Sequence, residues 1–590
     1  MYISRLEISN FKKATSNNPI IIELKNGLNL LIGENNIGKT TIVEALVICL
    51  NYGSSDKNVW LSEADFHDPT KPISIGIEFS GLNDAQQAAF LEALILDGEH
   101  GKHKLRFDFN FNLRGTKIQP QVKCGETGDT TNPYDILAYL RAIFLPALRD
   151  VSSEFKPGYR SRVGNILKKN LDDEGVEFES IFQKANREAL ALQGDENPVL
   201  KLEKNTNPNI DKLTLRGDDN KIKLNFVDQE FTKILSNIRM TCAAKGLDIS
   251  TNGLGYNNLI FISTVLTELK YDEVLTPHKF SCLIIEEPEA HLHPQLQSLL
   301  LEFLQNEYKD IQVILTSHSP TLASVVDLNN INILCRNADN VKSLLLQNAS
   351  IQESNKLFLQ LFLDVTKSQL FFARSIIFVE GITEAILLKS FWDYMYRDPN
   401  DSFEKQGIEI VNIQGVSFSR YIDLVSNVFS ESNVKSVIIT DDDRGTGRDC
   451  PNDMRFTRDG NLRDTSEIIS IFDSAPISAR AAGLKSEVDT LRAQNKRIAL
   501  FMARKTLEVE LGMANMVFRH RLGQLLDTTF DTTSDKELGI EVWKCVVSSS
   551  SKSDFADKLV AVIQEDIKNI RFSLAVPKYI RDAFEYITND

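Results

Sequence analysis

Leu28-Asn-Leu-Leu-Ile-Gly33-Glu-Asn-Asn-Ile-Gly38-Lys39-Thr40-Thr41-Ile-Val-Glu-Ala-Leu46 decides the reading of this 590-residue chain. Leu28, Leu30 and Leu31 lie in a short apolar run that predicts a buried strand. Gly33-x-x-x-x-Gly38-Lys39-Thr40 follows, and then helix-forming residues. Strand, glycine loop, helix is the setting a P-loop requires. The two glycines permit backbone torsions that a β-carbon forbids. Backbone N–H groups then face phosphate oxygens, and the helix N-terminus adds positive potential. The candidate nucleotide-binding residues here are Gly33, Asn35, Asn36, Gly38, Lys39, Thr40 and Thr41. Lys39 is placed to reach the β- and γ-phosphates of ATP, and the Thr40 hydroxyl to hold Mg²⁺.

Cys282-Leu-Ile-Ile-Glu-Glu-Pro-Glu289 supplies a partner motif, an apolar strand ending in two acids. In a Walker B arrangement Glu286 binds Mg²⁺ and Glu287 polarises the attacking water. A buried strand ending at an acidic turn is the plainer reading, and the P-loop upstream argues against it. Val313-Ile-Leu-Thr-Ser-His318 is another strand ending in a polar group, with His318 placed for a γ-phosphate. Ser250, Gly253 and Gly255 precede an apolar helical segment and offer a second phosphate cradle. His291 and His293, directly after Walker B, fit a subunit-contacting loop better than a metal site.

The chain carries a formal net charge of −15, so contact with nucleic acid must come from local basic patches. One such stretch is Arg492, Lys496, Arg497, Arg504 and Lys505. Seven dispersed cysteines without a C-x-x-C pair predict reduced thiols and a cytoplasmic setting. The first residues lack a signal-peptide core, and no apolar run approaches the ~18 residues of a membrane span. Ile73–Phe79 and Leu105–Leu113 alternate as strands and predict an antiparallel layer. Phe144–Asp150 reads as a strand ending at a charged turn. Residues 151–240 read as a mostly helical insertion between two parts of the ATPase, residues 1–150 and 241–365.

A second α/β unit is predicted over residues 370–590. Ser375–Val379 is a strand ending at Glu380-Gly381, with Glu384 one helical turn on. Ile408–Asn412 is a second strand, and Val437–Thr440 a third ending at Asp441-Asp442-Asp443. Such a βαβαβ order implies a parallel sheet, with acids at the carboxyl ends of strands, where open sheets carry their sites. Clustered carboxylates call for a hard cation such as Mg²⁺, Mn²⁺ or Ca²⁺. Asp441 and Asp443 alternate, and both can point one way. Glu508 and Glu510 alternate similarly. A solvated acidic turn and a Ca²⁺-type D-x-D-x-G loop are the competing readings of the Asp run.

The ATPase motifs, in this order, resemble the ABC-type heads of SMC and RecF-like proteins, and the resemblance implies an ATP-sandwiched homodimer. Glu-Gly after one strand and Asp-x-Asp after another resemble a Toprim domain. The combination resembles the OLD (overcoming lysogenization defect) family of ATP-dependent nucleases, which includes Gabija-type nucleases. That resemblance implies a helical dimerisation insert at 151–240 and metal ligands at Glu380, Glu384, Asp441, Asp443, Glu508 and Glu510. It implies a catalytic lysine at Lys552, with Lys578 the other candidate. It further implies a nucleotide-regulated DNA endonuclease of antiphage defence, using ATP and two Mg²⁺ or Mn²⁺ ions, with an accessory defence protein as a possible partner. The alternatives are a non-catalytic RecF- or SMC-like clamp and a topoisomerase or primase. The intact Asp441/Asp443 pair opposes the first, and no nucleophilic-tyrosine module supports a topoisomerase.

Overall fold

The computed structural model describes residues 1–54, 60–96, 103–125, 130–131, 133–147, 253–290, 292–337, 340–363, 367–415, 418–429, 433–445, 454–457, 461–549 and 552–589, with scattered positions between 148 and 252. The predicted helical insertion lies largely outside the described residues, as do Ser250 and His291. The chain forms two compact units, one of residues 1–144, 283–289 and 294–590, the other of residues 145–282 and 290–293.

The alternating segments form an antiparallel layer, the arrangement in which one buried and one wetter face commonly give such alternation. Its strands are β1 (Tyr2–Ser9), β2 (Ile20–Glu23), β4 (Ile73–Ser80), β5 (Leu94–Ile95), β6 (Lys104–Arg114), β7 (Lys117–Cys124) and β8 (Thr130–Thr131), and β3 (Leu28–Gly33) leaves for another sheet. The order is β2-β1-β4-β6-β7-β8, with β5 on β6. Ile75, Ile77 and Phe79 of β4 and Leu105, Phe107 and Phe109 of β6 are fully buried on one face.

The second sheet holds the nucleotide motifs. It adds β9 (Leu140–Leu145), β10 (Phe280–Glu286), β11 (Gln312–Ser317), β12 (Ile331–Asn337) and β13 (Asn340–Leu345), in the order β13-β12-β3-β11-β10-β9. β3 runs parallel to both neighbours, β11 and β12, and all six of its residues are buried. A strand covered on both faces reads as a nearly continuous apolar run, and this one does apart from Asn29, whose buried amide is hydrogen-bonded to the Lys25 and Gly27 backbone. α1 (Lys39–Leu50) follows the loop. The buried Gln312 amide ties the two sheets together: it accepts from Ile3 N at 2.8 Å and donates to Ile3 O at 2.9 Å. The strand expected at Phe144–Asp150 instead occupies Leu140–Leu145, because Pro146 has no N–H to continue the ladder. In the other unit, α2 (Leu254–Leu275) is capped by Gly253, and Gly255 is its second residue.

The third sheet is parallel throughout, with β14 (Ser375–Val379), β15 (Ile408–Asn412), β16 (Lys435–Asp441) and β17 (Ile498–Ala503) in the order β15-β14-β16-β17. β17 was not among the three strands the sequence predicts. Around the sheet lie α3 (Ile382–Met395), α4 (Ala479–Ala493), α5 (Leu507–Ala514), α6 (Lys552–Lys568) and α7 (Lys578–Thr588). Trp392 of α3 is fully buried against Phe403 and Phe584, and its indole N–H donates to Asp401 O at 2.8 Å. A buried Trp needs such an acceptor. Among the described residues, no helix is long and apolar enough to cross a membrane.

Candidate active site

The P-loop backbone is built around its glycines. Gly33 has φ +155°, and a Cβ there would lie 2.5 Å from the Leu334 carbonyl oxygen, so no larger residue fits. Lys39 folds back over the loop. Its ammonium donates to the carbonyls of Gly33 at 2.8 Å and Glu34 at 3.0 Å, and lies 3.3 Å from His318 Nδ1. Burial pulls its pKa down to about 8 against the opposing pull of Glu287, Glu289 and Glu34. Asn36 sits in the left-handed region at φ 65°, and its carbonyl accepts from Lys13 Nζ. Asn35 is exposed, while Thr41 is buried in the first turn of α1.

The adjacent acids Glu286 and Glu287 stand at the end of β10 and just beyond it. Glu286 ends β10 and is hydrogen-bonded to the Thr40 side chain; burial raises its pKa, partly offset by that bond. Thr40 and Glu286 are therefore joined, linking the end of the glycine loop to the end of β10. Glu287 follows at φ 44°, with its N–H bonded to Thr316 O at 2.9 Å. Burial and the nearby Lys39 charge lower the His318 pKa, favouring the neutral ring.

Glu289 escaped the sequence reading, although it is the third acid of Glu-Glu-Pro-Glu. One of its oxygens accepts from Ser317 Oγ at 2.7 Å and from His318 N at 2.9 Å, and so fixes the end of β11. Burial raises its pKa. His293 is exposed ahead of the helix that starts at Pro294.

The second site sits at the carboxyl ends of β14 and β16. Glu380 Oε2 accepts from Thr440 Oγ1 at 2.9 Å and from Arg480 of α4 at 2.9 Å. Asp443 Oδ2 accepts from the same guanidinium at 2.7 Å. Asp441 behaves differently. Burial raises its pKa well above the carboxylate range, Glu508 and Glu384 add to that rise, and Lys552 opposes it. Burial likewise raises Glu384. The Lys552 ammonium opens α6 and lies 3.3 Å from Glu508 Oε1. Burial pulls Lys552 down, but Glu508, Asp441 and Glu384 outweigh it and raise its pKa.

Three expectations need correction. Asp441 and Asp443 do not share one strand direction: β16 ends at Asp441, and Asp443 turns at φ 48°. Glu508 and Glu510 do not alternate, because they lie on a helix, α5, where residues two apart diverge. Glu508 faces Lys552, whereas Glu510 pairs with Arg504 at 2.5 Å. The basic stretch is also not uniformly available, since Arg504 is held by Glu510 and Lys505 is buried over the Trp543 ring.

Lys578 opens α7, but it is its neighbour Tyr579 that faces the acids. Burial raises the Tyr579 pKa well above its usual value, with Asp441, Glu384, Glu510 and Glu508 adding to the rise. Tyr579 and Arg480 lie far from any acidic motif in sequence, so no local signal marks them.

Among the described residues no three carboxylate, histidine or cysteine side chains stand close enough to hold one ion. The acids are shared out instead: Arg480 takes Glu380 and Asp443, and Lys552 takes Glu508. The donor set nevertheless fits a hard cation. Glu508 Oε2 and Thr506 Oγ1 are buried oxygens without a hydrogen-bond partner, and such groups cost free energy unless something binds them. Thr506, the N-cap residue of α5, was not expected.

Fold and site together define a P-loop ATPase domain joined to a Toprim module, and these two domains imply the use of nucleotide and of divalent metal. The AAA ATPase domain family matches residues 1–104 and 138–323, and the "Overcoming lysogenization defect protein-like, TOPRIM domain" family matches residues 371–443. The chain is thus similar to OLD-type proteins in its TOPRIM segment, and the relatives it resembles carry that name or a nuclease name. It is 24% identical to "Endonuclease GajA" of Bacillus cereus (strain HuB5-5), over 100% of this chain and 99% of that protein. It is 26% identical to "Old nuclease" of Escherichia phage P2, over 65% of this chain and 69% of that protein. It is 24% identical to "OLD nuclease" of Thermus scotoductus (strain ATCC 700910 / SA-01), over 75% of this chain and 82% of that protein.

Proposed function

We propose that this protein is a DNA endonuclease that hydrolyses phosphodiester bonds at the Toprim site under the control of nucleotide bound at the P-loop. The observation that carries this reading is the Lys552 ammonium 3.3 Å from Glu508, with Asp441 at the end of β16 and Glu384 on α3 near enough to raise its pKa as well. Mg²⁺ or Mn²⁺, two ions in all, held by Glu380, Glu384, Asp441, Asp443 and Glu508 with the Thr506 hydroxyl, would supply Lewis acidity and a deprotonated water. Lys552 holds a proton against burial, and its charge is placed to stabilise a phosphate that gains negative charge. Thr440 and Arg480 orient Glu380. Glu510 serves as the anchor of Arg504.

At the other site Lys39, Thr40 and Glu286 hold ATP and its Mg²⁺. His318 senses the γ-phosphate, and Glu287 orients the water. Gly253 and Gly255, with Ser250, close on the ATP of a second copy, so the working form is at least a homodimer. By the family resemblance, the biological role is defence against phage or other foreign DNA in the cytoplasm, with an accessory defence protein as a candidate partner.

The test is plasmid nicking beside an ATPase assay on the same preparations. A Glu380→Ala/Asp441→Ala double variant should lose nicking and keep ATP hydrolysis. Undiminished nicking leaves the DNA clamp as the function.

A further inference from the structure

Arg480 bridges two acids of the Toprim site, and neither a motif nor the family match, which ends at residue 443, points to it. Its guanidinium spans two strand ends. One nitrogen donates to Glu380 Oε2 at 2.9 Å, the other to Asp443 Oδ2 at 2.7 Å and, more weakly, to the Asp441 carbonyl at 3.4 Å. The helix that carries it is fastened to the same acidic turn. The Ser478 N–H donates to Asp442 O at 3.0 Å, and the Ser478 hydroxyl accepts from Ala481 N at 3.2 Å. The backbone thus holds Arg480 at the acids whether or not the side chain is engaged.

Exposure separates this contact from the one at Lys552. The Arg480 side chain is 44% exposed, and its two acids are each 37% exposed, whereas Glu508 beneath Lys552 is only 2% exposed. Water screens an ion pair so open, and a divalent ion competes well with it. Arg480 also has the geometry for the next step, because a guanidinium fork fits two phosphate oxygens as well as it fits carboxylates.

We propose that Arg480 stands in for a divalent cation between Glu380 and Asp443 when none is bound. When the ion takes those acids, the guanidinium passes to a phosphodiester oxygen and becomes a substrate-binding group. The inference rests on the nuclease reading above.

The experiment measures Mn²⁺ binding to the full chain without DNA or nucleotide, by electron paramagnetic resonance of the free ion. The variants are wild type, Arg480→Ala, Arg480→Lys and Glu380→Ala/Asp441→Ala. ATP binding serves as the folding control. A guanidinium seated on both acids competes with the ion for the same oxygens. Arg480→Ala should therefore bind Mn²⁺ about tenfold more tightly. Arg480→Lys, which keeps the charge but not the fork, should fall between Arg480→Ala and wild type, and it replaces the alanine variant if that one fails to bind ATP. In Ca²⁺, Arg480→Ala should bind a DNA duplex more weakly, with a shallower salt dependence. Mn²⁺ affinity unchanged or weakened by loss of the guanidinium overturns the stand-in role, and unchanged DNA affinity overturns the transfer to phosphate. Equal Mn²⁺ binding by wild type and the Glu380→Ala/Asp441→Ala variant would instead defeat the metal-site reading itself.

Discussion

Arg374 Nε lies 3.3 Å from Glu34 Oε1. Glu34 is a P-loop residue whose own carbonyl accepts from Lys39, and Arg374 directly precedes β14, the strand that ends at Glu380. One ion pair thus connects the loop that must receive ATP to the first strand of the Toprim sheet. The Arg374 side chain is 67% exposed, so the pair contributes little stability. A pair so placed is expected to respond when Lys39 exchanges the Glu34 carbonyl for a phosphate. Arg374→Ala should leave ATP hydrolysis near wild type and reduce the change in nicking that ATP causes. Nicking measured with and without ATP in both proteins checks this, and an undiminished nucleotide effect counts against the contact.

ATP affinity should depend on pH through Lys39. Burial lowers its pKa to about 8, and only the ammonium form binds phosphate strongly. The protonated form is complete below that value and is lost as pH rises through it. Apparent ATP affinity should be flat from pH 6 to 7 and fall by about tenfold per unit above pH 8. In Lys39→Ala, affinity should be low throughout, with no such break. Fluorescent-nucleotide titration across pH reads both curves.

Asp442 should prove structural. Its carboxylate accepts from Arg444 N at 3.0 Å, from Arg444 Nη2 at 2.7 Å and from Lys505 N at 2.8 Å. It thereby ties the end of β16 to the end of β17. Asp442 is nearly fully buried, and its removal strands the Arg444 charge. Asp442→Ala should lower stability by about 3 kcal/mol, whereas Asp441→Ala should abolish nicking at much smaller cost. Urea unfolding of both variants, run beside the nicking assay, distinguishes them.

Lys552→Ala should slow nicking by about 100- to 1000-fold, the scale for loss of one group that stabilises charge in the transition state. ATP hydrolysis should be unchanged, since Lys552 belongs to the other site. Lys578→Ala, carried alongside, should nick at nearly the wild-type rate. Reversal of these two results would transfer the catalytic role to Lys578.

Local order determined what could be read from the chain by itself. A buried parallel strand is nearly all apolar and a half-buried antiparallel one alternates, so β3, β4, β6, β10, β11, β14 and β15 are visible as patterns. The P-loop, the Walker B acids, Glu380 and the Asp441–Asp443 run stand at strand ends, and their spacing discloses them. Tertiary structure alone decided which acid does what. Asp442 became an anchor because the turn at Asp443 points its carboxylate at β17. Glu508 and Glu510 parted because a helix rotates successive side chains about its axis. Arg480, Thr506 and Tyr579 joined the site only when α4, α5 and α7 packed against the sheet. Such meetings depend on distance in space between residues remote in sequence, and no local pattern encodes that distance.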